Sequence, residues 1–571
     1  PLTHASSRLA RFDWLEVLCD SGRVGVMLTP ILVLAAVSPA SVLGHPGGVG
    51  YRAAVVELTS GSPAFVPATL DGARALMLRN VARAEAWAAK AAAQGAQIVV
   101  FSEDYADSGW ALRDMPARAP LYAEKLPEPG PASMCTDGES PTPVARALAC
   151  VARKHGIVLV TGLADTGPCV SHLSPFTRKP YPCDRATNTT QFNSQAAFGN
   201  DGSLLAVYRK SHMARLWPGV GVEYEPQWAE VETPDVVTFD SHFGVKFGML
   251  ICNDINFGGP ARALLQSGVR DFVFSTFWIS SFPWFTAVGS QDSFARAYGV
   301  NFLASNADLG GRLTSGSGIW PGNTSAPFVQ HYNTGIRQSD GWMGVVNLTS
   351  PIASSSVPAP VSHPANAPVI AEGSTAKAAA FSPRPGLSIQ LEVAAPNVTC
   401  SLKARVKSGG GVYALIAEAG LEVGGWYTAK CILVACEPRP FSDPHCTYVP
   451  TAKVPGGGAV FASLAIEMSA PLSNVFFPTA LCGGGKVPSP RSSLEATEAH
   501  GNRSLHLSAD CPLLTAYFDS RAQSEDERPE CPPAVCHGSA MVTHSARPDG
   551  PVVRRLSNIS WQHRVAPSIF V

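Results

Sequence analysis

The sequence predicts an α/β layered fold followed by a smaller β-rich part, on three observations. Strand-like and helix-like segments alternate from about Tyr51: Arg52–Leu58 (R-A-A-V-V-E-L) is apolar, Asp71–Ala93 is Ala-rich with helical periodicity and stops at Gly95, and Gln97–Phe101 (Q-I-V-V-F) is apolar again. The apolar run Phe247–Ile251 ends abruptly at Cys252, and a helix-like segment opens at Pro260, so a buried strand delivers a cysteine to a strand-to-helix turn. From about Leu387 the pattern changes to short alternating runs spaced by Gly, Pro and Cys, as in a small disulfide-bonded β domain.

The remaining elements follow in order. Residues 105–141 are Pro-rich and irregular and read as a long loop beside a site. Val144–Lys154 is helical and Gly156–Gly162 is a strand. Gln191–Phe198 and Ser203–Tyr208 flank Asn200-Asp201-Gly202, a hairpin signal. Val236–Phe239, Val245–Cys252, Phe272–Ser275 and Asn301–Ala304 are strands, with a helix around Asp292–Tyr298. The predicted organisation is an N-terminal extension (1–50), a first domain (51–349), a Pro/Ala/Ser-rich linker (350–386), a β-rich domain (387–521) and a tail (522–571) with Cys531 and Cys536. Within the β-rich part the clearest strands are Tyr413–Ile416, Trp426–Val434 and Ala459–Ile466.

Composition excludes some functions. The chain has 571 residues, enough for two or three domains, and is 46% apolar. Lys+Arg (43) balances Asp+Glu (44), so no basic excess points to nucleic acid. Fourteen cysteines and six N-x-S/T sequons, at Asn188, Asn323, Asn347, Asn397, Asn502 and Asn558, together point to the secretory pathway and to glycosylation. Arg23 precedes an apolar run, Val24–Val37, and Ser38-Pro39-Ala40 supplies small residues, the pattern of a signal peptide. The run is shorter than the ~20 residues of a membrane span. Trp561–Val571 is too short and polar for a lipid-anchor signal. The expectation is a secreted, soluble protein with no stable membrane anchor.

Three strands end on chemistry: one at Glu103, one leading to Lys210, one at Cys252. Taken singly, these read as a turn carboxylate, a surface charge and a small buried hydrophobe or half-cystine. Strand ends of an α/β sheet gather on one edge, however, where sites form. A carboxylate, an ammonium and a thiol meeting there suit acyl transfer: Glu103 takes the thiol proton and Lys210 holds a developing oxyanion. A thiol with a pKa of ~8.5 is mostly protonated at neutral pH and needs such help. The strand-to-helix turn is expected to favour the thiolate of Cys252 as well. His155, His212 and His242 show no ligand spacing, so neither metal nor cofactor is expected.

The segments F-S-E-D (101–104), Y-R-K (208–210) and C-N-D (252–254) resemble the Glu-Lys-Cys triad of the nitrilase (carbon–nitrogen hydrolase) superfamily. Thr276–Trp278, V-N-F-L-A-S-N (300–306) and S-G-S-G-I (315–319) are similar to segments of its vanin/biotinidase family, and the resemblance spans about Tyr51–Arg521. It implies an α-β-β-α sandwich followed by a β-rich base domain, and a monomer. It implies that Cys252 attacks an amide and forms a thioester, with Glu103 as proton acceptor and donor. Lys210 and the backbone N–H of Asn253 hold the oxyanion. Glu225, in E-P-Q-W (225–228), is a second carboxylate, and Asn253 and Trp278 belong to the substrate site. It implies disulfides 135–150 and 169–183, using Cys135, Cys150, Cys169 and Cys183, and disulfide-bonded Cys431, Cys436 and Cys446 whose connectivity is left open, with Cys252 free. Arg503–Arg521 resembles the last strand pair. Ser102 stands where the family has proline and Asn253 where it has phenylalanine, and the loops after Glu103 and between Lys210 and Glu225 are longer than usual.

The implied substrate is a small-molecule linear amide of a vitamin conjugate. Pantetheine hydrolysis to pantothenate and cysteamine is expected ahead of biocytin hydrolysis or biotinyl transfer. A silent binding protein on the same scaffold is the competing class, and all three triad positions are filled here.

Overall fold

The structure is a computed structural model that describes residues 48–58, 66–174, 179–214, 225–280, 285–309, 314–333, 340–350, 375–421, 427–436, 458–470, 479–481, 487–489, 491–499, 502–507 and 515–521. The expected signal peptide, most of the expected linker, Trp426, Cys446, Asn558, the tail and the loop at 215–224 lie outside the described residues.

In chain order the first part comprises β1 (Gly50–Glu57), α1 (Leu70–Ala93), β2 (Ile98–Val100), α2 (Gly109–Leu112), β3 (Gly130–Ser133), α3 (Pro143–His155), β4 (Val158–Gly162), β5 (Asp165–Pro168), β6 (Thr189–Phe192), β7 (Ser194–Phe198) and β8 (Ser203–Arg209). It continues through β9 (Thr238–Asp240), β10 (Lys246–Ile251), α4 (Ala261–Gln266), β11 (Asp271–Thr276), α5 (Ala287–Tyr298), β12 (Asn301–Asn306), β13 (Ser317–Trp320), β14 (Val329–His331) and β15 (Trp342–Thr349). Local chemistry sets the helix ends. Thr69 caps α1 by accepting from Gly72 N–H, and α3 opens on Pro143 and closes on the left-handed Gly156.

Two sheets form the middle of this part, in the orders β15-β1-β2-β4-β7-β8-β3 and β14-β13-β12-β11-β10-β9. Strands β1, β2 and β4 are parallel neighbours, as are β10, β11 and β12. Alternation along β1 shows why the layers stack. Ala53 and Val55 share a core with Val100, Val160, Met249 and Phe274, between the sheets. Ala54 and Val56 share another with Val99, Leu76 and Leu148, under α1 and α3. β1 is thus buried on both faces, and a fully buried Val contributes roughly 1.5–3 kcal/mol. Phe294 of α5 and Leu264 of α4 join the first core, completing an α-β-β-α sandwich.

The β-rich part holds β16 (Thr375–Phe381), β17 (Ser388–Ala395), β18 (Val398–Ser408), β19 (Val412–Leu421), β20 (Tyr427–Cys436), β21 (Val460–Ser469), β22 (Thr479–Leu481), β23 (Leu494–Ala499), β24 (Asn502–Leu507) and β25 (Thr515–Arg521). They form two five-stranded sheets, β16-β19-β20-β25-β22 and β17-β18-β21-β24-β23. Inward residues such as Leu402, Leu415, Leu433 and Ile466 make one core between them. The Cys400–Cys431 disulfide crosses that core from β18 to β20.

Four expectations are corrected. The stretch read as linker ends in a strand, β16, paired with β19 along its length. The run 191–198 is two strands broken at Asn193: β6 pairs with β5, whereas β7 pairs with β4 and β8. The helix read from Asp292 begins at Ala287. Within 503–521, β24 and β25 belong to different sheets.

Candidate active site

Glu103 is fixed by backbone geometry beyond the end of β2. The β2–β4 ladder runs on past the strands: Phe101 N–H donates to Val160 O (2.8 Å), Gly162 N–H to Ser102 O (3.1 Å) and Ala106 N–H to Gly162 O (3.1 Å). Gly162 has to be glycine, because a Cβ there would lie 2.4 Å from Asp104 N. The chain then turns with Asp104 (φ +53°) in the left-handed region, where a non-glycine residue costs energy. Ser102, in place of the family's proline, donates its hydroxyl to Leu58 O (3.1 Å). The result is a buried carboxylate, Glu103, facing away from water.

Lys210 follows β8, and its backbone N–H donates to Asn193 O (2.8 Å). Its ammonium lies 2.5 Å from Glu103 Oε1 and 2.6 Å from Glu225 Oε2. Asn193 Nδ2 donates to Glu103 Oε1 (2.8 Å) and to Glu225 Oε1 (2.7 Å). Phe277 N–H donates to Glu103 Oε2 (2.6 Å), and Ala214 N–H to Glu225 Oε2 (2.6 Å). Burial pushes the Lys210 ammonium toward deprotonation, but the Glu103 and Glu225 carboxylates hold it well above its ordinary value. Burial also raises Glu103, against the pull of Lys210. Asp104 is raised by burial and by the neighbouring Asp107 and Glu103 charges, and burial pushes Asp107 up to about 7.

Cys252 follows β10 at φ +42°, opening a single 3₁₀ turn, Cys252–Asn256. The parallel register Ile251↔Ser275 sets it level with Thr276, one residue before the Phe277 N–H that holds Glu103. The turn is pinned by Asp254. That carboxylate accepts from Ile251 N–H (3.0 Å), Tyr208 OH (2.8 Å) and His212 N–H (3.0 Å), and contacts His212 Nδ1 at 3.0 Å. His212 stacks on Phe257 at 3.9 Å. The loop carrying Lys210 and the loop carrying Cys252 are therefore tied through one buried carboxylate.

The thiol is not pre-ionised, contrary to the expectation from its turn. Burial and then the Glu103 charge raise Cys252 well above a free thiol, and Lys210 only partly offsets them. The α-helix that follows, α4, starts nine residues after Cys252, beyond the reach of its dipole. Cys252 is thus a buried thiol that burial and the nearby Glu103 charge keep protonated.

The remaining expected positions divide. Asn253 is buried, donating to Met213 O (3.0 Å) and accepting from Asn256 (2.8 Å), so its side chain is committed to the loop. Trp278 was expected to face substrate; instead it is 2% exposed, its ring tilted on Phe285 at 4.4 Å and its backbone N–H bound to Asn306. The polarity of the T-F-W tract is spent on Glu103 through Phe277, whose ring stacks on Trp110 at 5.9 Å. Cys135–Cys150 and Cys169–Cys183 are disulfides, Cys431 pairs with Cys400, Cys436 is also disulfide-bonded, and Cys252 is the free cysteine among the described residues. Asn188, Asn323 and Asn347 are exposed, and Asn397 is half-buried at a turn. Sequence reading missed Asn193 and the Asp254–His212–Tyr208 network. The signals available were the polar Asn193-Ser194-Gln195 stretch inside a strand-like run and a carboxylate two residues after the cysteine. Among the described residues no group of His, Cys, Asp or Glu is arranged to hold a metal ion, and no helix is long and apolar enough to cross a membrane.

The sequence model described as carbon-nitrogen hydrolase matches residues 52–291. The chain is 32% identical to a biotinidase of Takifugu rubripes over 50% of its own length and 54% of that protein's. It is 30% identical to a pantetheinase of Homo sapiens over 68% and 74% respectively. The first of these matches thus spans about half the relative's length. An amidase structure from Nesterenkonia sp. aligns with 54% of this chain and 94% of its own at 18% identity and a TM-score of 0.35. With a match over three quarters of a 30% identical relative and a site assembled on the strand ends, this chain belongs to the nitrilase (carbon–nitrogen hydrolase) superfamily and, within it, to the vanin/biotinidase family.

Proposed function

We propose that the protein is a thiol amidase that cleaves a linear secondary amide of a vitamin conjugate, with pantetheine as substrate and pantothenate and cysteamine as products. The observation that carries the reading is the Glu103–Lys210–Glu225 cluster, its first two members buried, electrostatically linked to the free Cys252 thiol. Similarity to several pantetheinases supports the substrate.

The geometry suggests the sequence of proton movements. Glu103 takes the Cys252 proton as sulfur bonds to the amide carbon, and the oxyanion is met by the Lys210 ammonium and the Asn253 backbone N–H. Glu103 returns the proton to the nitrogen, the C–N bond breaks, and the amine leaves a thioester on Cys252. Glu103 then deprotonates water, which adds to the thioester, and collapse releases the acid and restores the thiol. Glu225 keeps Lys210 in place. Secretion, glycosylation of Asn188, Asn323, Asn347, Asn397 and Asn502, and a monomeric state without a membrane anchor belong to the same proposal. The disulfides and the relatives support an extracellular setting.

Biocytin hydrolysis or biotinyl transfer is the second reading, favoured by the similarity to a biotinidase. The test is to incubate the purified chain with each conjugate, identify the acyl group on Cys252 by mass spectrometry, and compare cysteamine with lysine release. Faster cysteamine release and a pantothenoyl adduct are expected, with Cys252→Ala losing both. Faster lysine release with a biotinyl adduct reverses the order, and no adduct from either conjugate sinks the amidase reading.

A further inference from the structure

We propose that Asn193 is the positioning residue of this site: its side-chain amide holds the Glu103 and Glu225 carboxylates while its carbonyl holds the Lys210 backbone, so that both carboxylates are kept against one ammonium. This rests on the reading of Glu103 as the base for Cys252.

Asn193 Nδ2 reaches Glu103 Oε1 at 2.8 Å and Glu225 Oε1 at 2.7 Å, and its carbonyl accepts the Lys210 N–H at 2.8 Å. One residue therefore touches all three charged members of the cluster. Two carboxylates this close repel, and one ammonium, at 2.5 and 2.6 Å from them, neutralises only one charge. The amide supplies the missing donors, one N–H to each carboxylate. It does not titrate, so it donates at every working pH.

The backbone makes Asn193 rigid. It is the residue between β6 and β7, which leave it for different sheets. Leu163 N–H donates to Ser194 O (2.9 Å) and Ala229 N–H to Gln191 O (2.8 Å), fixing both flanks. The charged or titratable groups that act on Glu103 are Lys210, Glu225, Cys252, Asp104 and Asp107. Asn193 is a neutral side-chain donor among them, and removing it takes one donor from Glu103 Oε1, which keeps Lys210, and one from Glu225 Oε1.

The test uses the full chain with Asn193→Ala and the isosteric Asn193→Asp, which keeps the shape of the site if the smaller side chain impairs folding. Cys252 alkylation by iodoacetamide is followed by mass spectrometry across pH, beside pantetheine hydrolysis and thermal melting. With Asn193→Ala the midpoint of the alkylation profile is expected to rise by at least ~0.5 pH unit, and kcat to fall about 100-fold with little change in KM. Asn193→Asp adds a third carboxylate and moves the midpoint further up. An unmoved midpoint in both variants, with activity falling only in step with melting temperature, means a merely structural residue and overturns the proposal. Wild-type protein that fails to hydrolyse pantetheine while the alkylation midpoint still moves leaves Asn193 standing and removes the substrate assignment alone.

Discussion

At Cys252 two opposing effects meet. Burial and a neighbouring carboxylate keep the proton on sulfur, and in the proposed reaction the same carboxylate takes it. The site therefore stores a neutral thiol, and under the proposed mechanism it becomes reactive as Glu103 accepts the proton. A second buried acid, Glu57, lies 3.7 Å from His331 Nε2 and has no Lys or Arg ion pair among the described residues. It accepts from Ser315 OH (2.6 Å), Ser317 OH (2.7 Å) and Gly316 N–H (3.0 Å), yet burial outweighs these donors and pushes it up to about 8. The folded chain thus binds this proton more tightly than the unfolded chain, whose Glu titrates at 4.5. Its stabilising contribution is complete below that value and is lost as pH rises to about 8, at up to ~1.4 kcal/mol per pH unit in between. Melting temperatures measured from pH 5 to 8 should fall for the wild type and fall less steeply for Glu57→Gln. Parallel curves would exclude Glu57 as a source of the slope.

At the scale of elements, the site is made by what happens just past strand ends. Gly162 lets the β4 end lie against the Glu103–Asp104 backbone. Gly162→Ala should push Glu103 away from Lys210 and lower kcat by roughly 10–100-fold, a displacement of about 1 Å being enough. Steady-state kinetics check this, and an unchanged kcat would show that the turn can yield without cost. Strand ends were legible in the sequence because apolar runs stop at polar residues, so Glu103, Lys210 and Cys252 could be named from pattern. Asn193 could not, because it sits inside what reads as one continuous strand, and only the pairing of β6 and β7 with different sheets exposes the break. Strand β16 was hidden for a different reason. Its sequence, T-A-K-A-A-A-F, is mostly alanine, which has low strand propensity, and pairing with β19 overrides that preference. Trp278, expected in the substrate site, has its ring packed against Phe285, a contact that the sequence pattern does not reveal.

At the scale of the whole molecule, the β-rich part is joined to the catalytic layers through a buried charge. Arg491, fully buried, places Nε 2.5 Å from Asp292 Oδ1 on α5 and donates to Pro321 O. Arg296, one turn along α5, donates to Asp292 Oδ2 (3.1 Å) and to the carbonyls of Arg491 (3.2 Å) and Leu494 (3.1 Å). Gln330 exchanges two hydrogen bonds with the Val487 backbone, each 2.8 Å. None of this was legible in sequence, since the partners across the two parts stand 157 to 199 residues apart. Such a pair gains little over an apolar contact, because both ions lose their water, but breaking it strands the survivor. Arg491→Leu should therefore destabilise the chain by about 3–5 kcal/mol in thermal or denaturant melts. Asp292→Asn combined with Arg491→Leu should recover part of that loss, because no unpaired carboxylate is left behind. A single-variant loss below about 1 kcal/mol, or a double variant no better than the single, would mean that Arg296 alone satisfies Asp292. The β-rich part would then be held by its apolar and backbone contacts. If the expected loss is found, the two parts unfold as one unit through α5, the helix whose preceding segment carries the Phe277 N–H that fixes Glu103.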